Sequence, residues 1–76
     1  MLKQDIELNA WTIWVLLSRN GKLNIKELSE QTNCSEAFIY MTLGWMLKNN
    51  AITLSLDNEI LYTQLKDSQQ QEIMSV

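Results

Sequence analysis

A change of hydrophobic period near residue 50 constrains the fold of this chain more than any other feature of its sequence. Before that point, apolar residues recur every three or four positions, as in amphipathic helices. After it, residues 51–56 and 59–63 form two β-rich runs separated by Asp57-Asn58. Asp and Asn both tolerate positive φ, which a two-residue type I′ hairpin turn requires. The sequence therefore predicts helices followed by a β-hairpin whose turn is Asp57-Asn58.

The helical part begins with one long helix. We predict this helix over residues 5–19, with Asp5 as its N-cap and Asn20-Gly21 as its end. One face of the helix is apolar and is predicted to enter the core. Its members are Ile6, Ala10, Ile13, Trp14 and Leu17.

Two shorter helices follow, joined by a turn at residues 31–34. Asn24 is a good N-cap for the second helix, and Glu27 three residues later completes a capping box. Ser35 caps the third helix, after which Asn50 suits a left-handed C-terminal position. Two helices joined in this way form the helix-turn-helix unit. The predicted core face of the third helix consists of Ile39, Leu43, Met46 and Leu47.

The order of elements defines the fold class. Lys22-Leu23 is a short extended link between the first two helices, and the hairpin directly after the third helix is the wing. We predict a winged helix-turn-helix domain, mainly α, with three helices and a two- to three-stranded antiparallel sheet. The domain is predicted to span residues 1–66. Residues 67–76 lack a core pattern and are predicted to be a flexible or weakly ordered tail.

Residues 44–47, Gly-Trp-Met-Leu, carry a family resemblance together with the apolar face of the first helix. They are similar to a family of short, uncharacterised bacterial winged helix-turn-helix proteins whose third helix ends in a Gly-Trp-Leu segment. The chain departs from that pattern at Leu47-Lys48-Asn49, where the family has a small, a basic and an acidic residue. No role of the basic–acidic pair is therefore carried over. The resemblance implies the fold and a bacterial protein, and it implies no activity.

The composition argues against an enzyme. The chain has no His, and its single cysteine, Cys34, has no partner for nucleophilic catalysis or for an intramolecular disulfide. We interpret Cys34 as a small residue that fills the core at the helix-turn-helix turn. We expect no metal, cofactor or small-molecule site, no membrane segment and no signal peptide, and we expect a cytoplasmic location.

DNA binding is one of two candidate functions, because the third helix of this fold is the usual reader of the major groove. The net charge of −3 and the acidic wing tip at residues 57–59 argue against it. Few outward residues of the third helix are basic or amide groups that could read bases. The residues that could contact DNA are Lys22, Lys26, Ala37, Thr42 and Lys48.

Protein binding is the other candidate and is slightly favoured. The first and third helices each carry a second apolar stripe, on the side opposite the predicted core face. A helix that is apolar on two faces is usually covered on both. A second copy of the chain, another protein, or the wing and the tail could supply the cover. The predicted interface residues are Leu8, Trp11, Val15, Phe38, Met41 and Trp45.

Overall fold

A computed structural model describes residues 3–66 of the chain and has the winged helix-turn-helix architecture that the sequence predicts. The predicted tail at residues 67–76 lies outside the described residues. The described part contains three α-helices and three β-strands. In chain order these are α1 (Lys3–Asn20), β1 (Lys22–Asn24), α2 (Ile25–Thr32), α3 (Glu36–Lys48), β2 (Ile52–Asp57) and β3 (Ile60–Leu65).

Short-range hydrogen bonds confirm the predicted caps of α2 and α3. The side chain of Asn24 accepts from the amide of Glu27 (2.8 Å), and the Glu27 carboxylate accepts from the amide of Asn24 (2.9 Å). This reciprocal pair satisfies two of the amides that a helix start leaves without partners. Ser35 accepts from the amide of Phe38 and starts α3 in the same manner. Asn50 has φ 60° and so occupies the left-handed position predicted for it.

The start of α1 differs from the prediction. The helix begins at Lys3, and Asp5 lies in its first turn instead of capping it. An acidic residue in the first turn is still favourable, because the amides there carry a partial positive charge.

The three strands form an antiparallel sheet in the order β1-β3-β2. β1 corresponds to the segment that the sequence predicts only as an extended link. It pairs with β3, with Leu23 opposite Thr63, and Leu54 of β2 lies opposite Thr63 on the other side. β1 thus covers one edge of the hairpin that would otherwise leave backbone groups unpaired.

The turn of the wing lies one residue later than predicted. Asp57 pairs with Ile60, so the two-residue turn is Asn58-Glu59 and not Asp57-Asn58. Both turn residues have positive φ, 53° and 66°, as a type I′ turn requires. The register explains the shift, because it places Leu56 opposite Leu61 on the face of the sheet that also carries Ile52.

The core lies where the three helices and the sheet meet. Trp14 and Leu47, which the sequence predicts in the core, are both exposed. Two polar residues, Asn9 on α1 and Thr42 on α3, are buried instead. Each helix is therefore turned about its axis relative to the predicted orientation. The buried apolar residues are Ala10, Ile13, Leu17, Leu23, Ile25, Leu28, Ile39, Leu43, Met46 and Ile52.

Candidate interaction surfaces

The side of α1 that faces away from the core carries an apolar stripe among polar residues. Leu8 is 68% exposed and Trp11 is 65% exposed, whereas Val15 is half-buried. We call these three residues the α1 outer face. Since each helical residue advances the helix by about 100°, they lie opposite the buried residues Ala10, Ile13 and Leu17. The sequence predicted all three as interface residues.

Trp11 extends this surface through a stack with Trp14. The two ring centroids are 5.6 Å apart, and the planes are inclined by only 3°. Offset stacking at this separation is a favourable arrangement for aromatic rings. Trp14 is 41% exposed, so the pair remains a solvent-facing aromatic surface on one helix. The sequence prediction missed the contribution of Trp14, because it assigned that residue to the core.

The structure brings two of the predicted α3 interface residues to the flanks of α1. Phe38 and Leu8 line a shallow cavity on one side, together with Cys34. Trp45 lines a smaller cavity of about 190 Å³ on the other side, together with Trp11 and Trp14. Phe38 and Trp45 are half-buried, and Trp45 packs against the core cluster. Trp45 is therefore held at the α1 side of the domain.

Thr42 cannot contact DNA in this structure, contrary to the prediction. Its side chain is fully buried, and its hydroxyl accepts a hydrogen bond from the Asn9 side-chain amide (2.9 Å). The same hydroxyl donates to the backbone carbonyl of Phe38 (3.0 Å). The prediction placed Leu47 inside and Thr42 outside. The observed buried positions on α3 are Ile39, Thr42, Leu43 and Met46.

The solvent face of α3 has little of the chemistry that reads bases. Tyr40 is 52% exposed and Met41 is exposed beside it, and Lys48 is the basic residue on this side of the helix. Glu36 lies in the first turn, where base contacts usually begin. The sequence prediction missed Tyr40 and Leu47. The exposed residues of α3 are Glu36, Ala37, Tyr40, Met41, Gly44, Leu47 and Lys48.

The lysines Lys22 and Lys26, predicted as possible DNA contacts, do not gather at one site. The ammonium of Lys22 lies 4.8 Å from the centre of the Tyr62 ring, a cation–π contact across the sheet. Lys26 lines a groove between α3 and the wing, where Glu36 and Glu59 also lie. Lys22 lines a different cavity, beside Trp14. The groove that would face DNA therefore has two carboxylates beside one ammonium group.

The part of the chain from residue 3 to residue 66 offers neither a metal centre nor a membrane span. Within it, no group of three or more acidic, His or Cys residues is placed to hold a metal ion. None of the helices in this range is long and apolar enough to cross a bilayer. Cys34 is half-buried, and its thiol lies 3.7 Å from the Asn9 side-chain oxygen and 3.5 Å from the Thr32 carbonyl oxygen.

The sequence matches the model of a known domain family over most of its length. The model described as "Winged helix-turn-helix domain (DUF2582)" matches residues 1–69, which is most of the chain. The match agrees with the family resemblance drawn from the sequence. A comparison with curated proteins found no match.

Solved structures with low sequence identity share the fold. BT2368 from Bacteroides thetaiotaomicron aligns with a TM-score of 0.78 at 21% identity, over 92% of this chain and 84% of that protein. The transcriptional regulator HlyU from Vibrio vulnificus aligns with a TM-score of 0.71 at 20% identity, over 96% and 81%. YusO from Bacillus subtilis aligns with a TM-score of 0.74 at 13% identity, over 87% of this chain. The chain spans only 49% of YusO.

Proposed function

The chain belongs to the winged helix-turn-helix family described as DUF2582, and we propose that it is a non-enzymatic binding module of the transcription-regulator type that acts through protein–protein contact. The observation that carries this proposal is the exposed aromatic and aliphatic surface of α1. Leu8 and Trp11 are each about two-thirds exposed, and Trp11 is stacked on Trp14. The partner that we propose for this surface is a second copy of the chain.

Burial of large apolar side chains favours this assignment. Exposed apolar area is costly in water, at roughly 25 cal/mol per Å², and clustered aromatic residues are typical of the centres of protein interfaces. The α1 outer face lies between two apolar cavities, one beside Phe38 and one beside Trp45. A partner could therefore contact α1 and both flanks at once.

A non-enzymatic role agrees with the chemistry of the described residues. Cys34 is a half-buried thiol in the turn between α2 and α3, packed against the core cluster, where it fills space. We further propose that the module works in the cytoplasm, a reducing compartment in which such a thiol persists.

Light scattering coupled to size-exclusion chromatography of the full chain tests the proposal. We expect twice the chain mass at high protein concentration and a decrease towards one chain mass on dilution. Trp11→Ser should shift the protein to the single-chain mass. Leu56→Ser is the matched control, because it also removes an exposed large apolar residue, but from β2 of the wing; it should leave the dimer intact. A single-chain mass for the wild type at every concentration would overturn the proposal.

DNA binding is the second candidate function, and the structural similarity to the regulator HlyU favours it. In that case α3 would enter the major groove, with Ala37 near the bases and with Lys26 and Lys48 on phosphates. Fluorescence anisotropy with genomic duplex fragments at low salt tests this, because phosphate contacts are strongest there. Binding that is lost in the Lys26→Glu, Lys48→Glu double variant would establish this second function. Absence of binding by the wild type at low salt would exclude it.

A further inference from the structure

We propose that two copies of the chain pair through antiparallel α1 helices, related by a twofold axis near Thr12, with Asp5 of one copy beside Arg19 of the other. The inference rests on the proposed function and adds the partner's orientation and register. It follows from the arrangement of charged residues around the α1 outer face.

The α1 outer face has the width and spacing of a helix–helix seam. Leu8, Trp11 and Val15 are spaced by three and four residues, so they form a straight stripe along the helix. The stripe points away from the core, so a second helix can approach it without displacing core residues. Such a stripe packs well against an identical stripe, since apolar residues three and four apart interlock between neighbouring helices.

Two charged residues on one edge of the stripe favour the antiparallel orientation. Asp5 lies in the first turn of α1 and Arg19 lies in the last turn, and both are exposed. They are fourteen positions apart, which brings them to the same edge of the helix within about 40°. In a parallel pair this edge would face the opposite edge of the partner helix, where Glu7 lies near the level of Asp5, whereas in an antiparallel pair the same edges meet and Asp5 lies beside Arg19. The helix dipoles oppose each other as well in the antiparallel pair.

The charge pairing also fixes the register of the apolar residues. When Asp5 is level with the partner's Arg19, the twofold axis passes near position 12. Leu8 then lies next to the partner's Val15, and Trp11 lies next to the partner's Trp11. The largest side chains thus meet at the centre, and the charged residues lie at the rim, which is the usual anatomy of a protein interface.

Charge exchange at the rim tests the register. Asp5→Arg and Arg19→Asp should each weaken the dimer about tenfold, because each replaces two attractive pairs by two repulsive ones. The double variant Asp5→Arg, Arg19→Asp should recover the wild-type dissociation constant, measured by sedimentation equilibrium on the full chain. Recovery cannot come from a more stable helix, since both exchanges oppose the helix dipole. The double exchange also keeps the net charge at −3.

Glu7→Arg is the matched control. Glu7 lies near the same end of α1 but on the other edge of the stripe, beside Trp14 and Trp45. Glu7→Arg combined with Arg19→Asp should give no recovery. Circular dichroism of each variant should give the helix content of the wild type.

Three outcomes separate the register from the proposed function. Recovery in the Asp5–Arg19 exchange alone supports the antiparallel pair. A dimer that is lost in Trp11→Ser but does not respond to the charge exchanges overturns the register and leaves the protein-contact function standing. A wild-type monomer at all concentrations overturns both.

Discussion

Asn9 on α1 donates a 2.9 Å hydrogen bond to the hydroxyl of Thr42 on α3, and both side chains are buried. The bond joins the two helices through the core and satisfies polar groups that burial would otherwise penalise. The bond accompanies the rotation of α3 that places Thr42 inside with Ile39, Leu43 and Met46. With Thr42 turned inward, Phe38 and Trp45 lie at the flanks of α1, where both line cavities that α1 residues share.

Thr42→Val should lower the free energy of unfolding by about 1–3 kcal/mol. The variant keeps the side-chain shape but leaves the Asn9 amide buried without its acceptor, which costs more than the loss of one net hydrogen bond. Urea unfolding followed by circular dichroism measures the change. In a double-mutant cycle with Asn9→Ala, the two effects should be clearly non-additive.

Thr12→Val is the control for that measurement. Thr12 is exposed, and its hydroxyl bonds only to the carbonyl of Leu8 within the same helix. At a protein concentration low enough for the dimer to dissociate, its replacement should change the free energy of unfolding by no more than about 0.5 kcal/mol. Equal effects of Thr12→Val and Thr42→Val would show that the buried bond does not have the role assigned to it.

Asn24→Ala should destabilise the protein by about 1 kcal/mol or more. The change removes the acceptor for the Glu27 amide and leaves the Glu27 carboxylate to bond alone at the start of α2. Thermal unfolding measures the effect. Ser18→Ala is the control. It also deletes a small polar group, but from an exposed position within α1, where the hydroxyl donates to the carbonyl oxygen of Trp14. An unchanged midpoint for Asn24→Ala would contradict the capping box.

Glu59→Gly should stabilise the protein by about 1 kcal/mol, because a non-glycine residue at positive φ is strained. Glu59 has φ 66° at the second position of the wing turn. If the turn were at Asp57-Asn58, as the sequence alone predicts, glycine at position 59 would instead weaken a strand. The sign of the change in unfolding free energy, measured in urea, distinguishes the two turns. Asp57→Gly is the companion variant and should be destabilising.

Features determined by neighbouring residues could be predicted from the sequence. The capping box at Asn24 and Glu27, the cap at Ser35 and the left-handed Asn50 each depend on contacts within a few positions. These signals, together with the change of period, were sufficient to predict the fold.

Features determined by distant residues could not be predicted in this way. The pairing of β1 with β3 joins segments about forty residues apart. The burial of Thr42 depends on Asn9, thirty-three positions earlier, so periodicity alone favoured Leu47 for the core. The outward position of Trp14 could not be predicted for the same reason. The buried side of α1 includes the polar residue Asn9, which a search for apolar periodicity does not select.

The α1 residues of the candidate surface were more predictable than those on α3. Leu8, Trp11 and Val15 form a second apolar stripe that periodicity alone identifies, and the structure leaves Leu8 and Trp11 open to solvent. The α3 residues were assigned to the surface on the assumption that Leu47 faces the core. The prediction grouped Phe38, Met41 and Trp45 as one outward stripe; Met41 is exposed, whereas Phe38 and Trp45 are half-buried.

A dilution series of two-dimensional NMR spectra on the full chain tests the central claim most directly, because it shows which surface a partner covers. On dilution, the indole signal of Trp11 and the amide signals of Leu8 and Val15 should move together as the dimer dissociates, while those of Ala37 and Tyr40 on α3 stay fixed. Signals of α1 that do not change with concentration, or changes confined to α3, would contradict the assignment of α1 as the interaction surface.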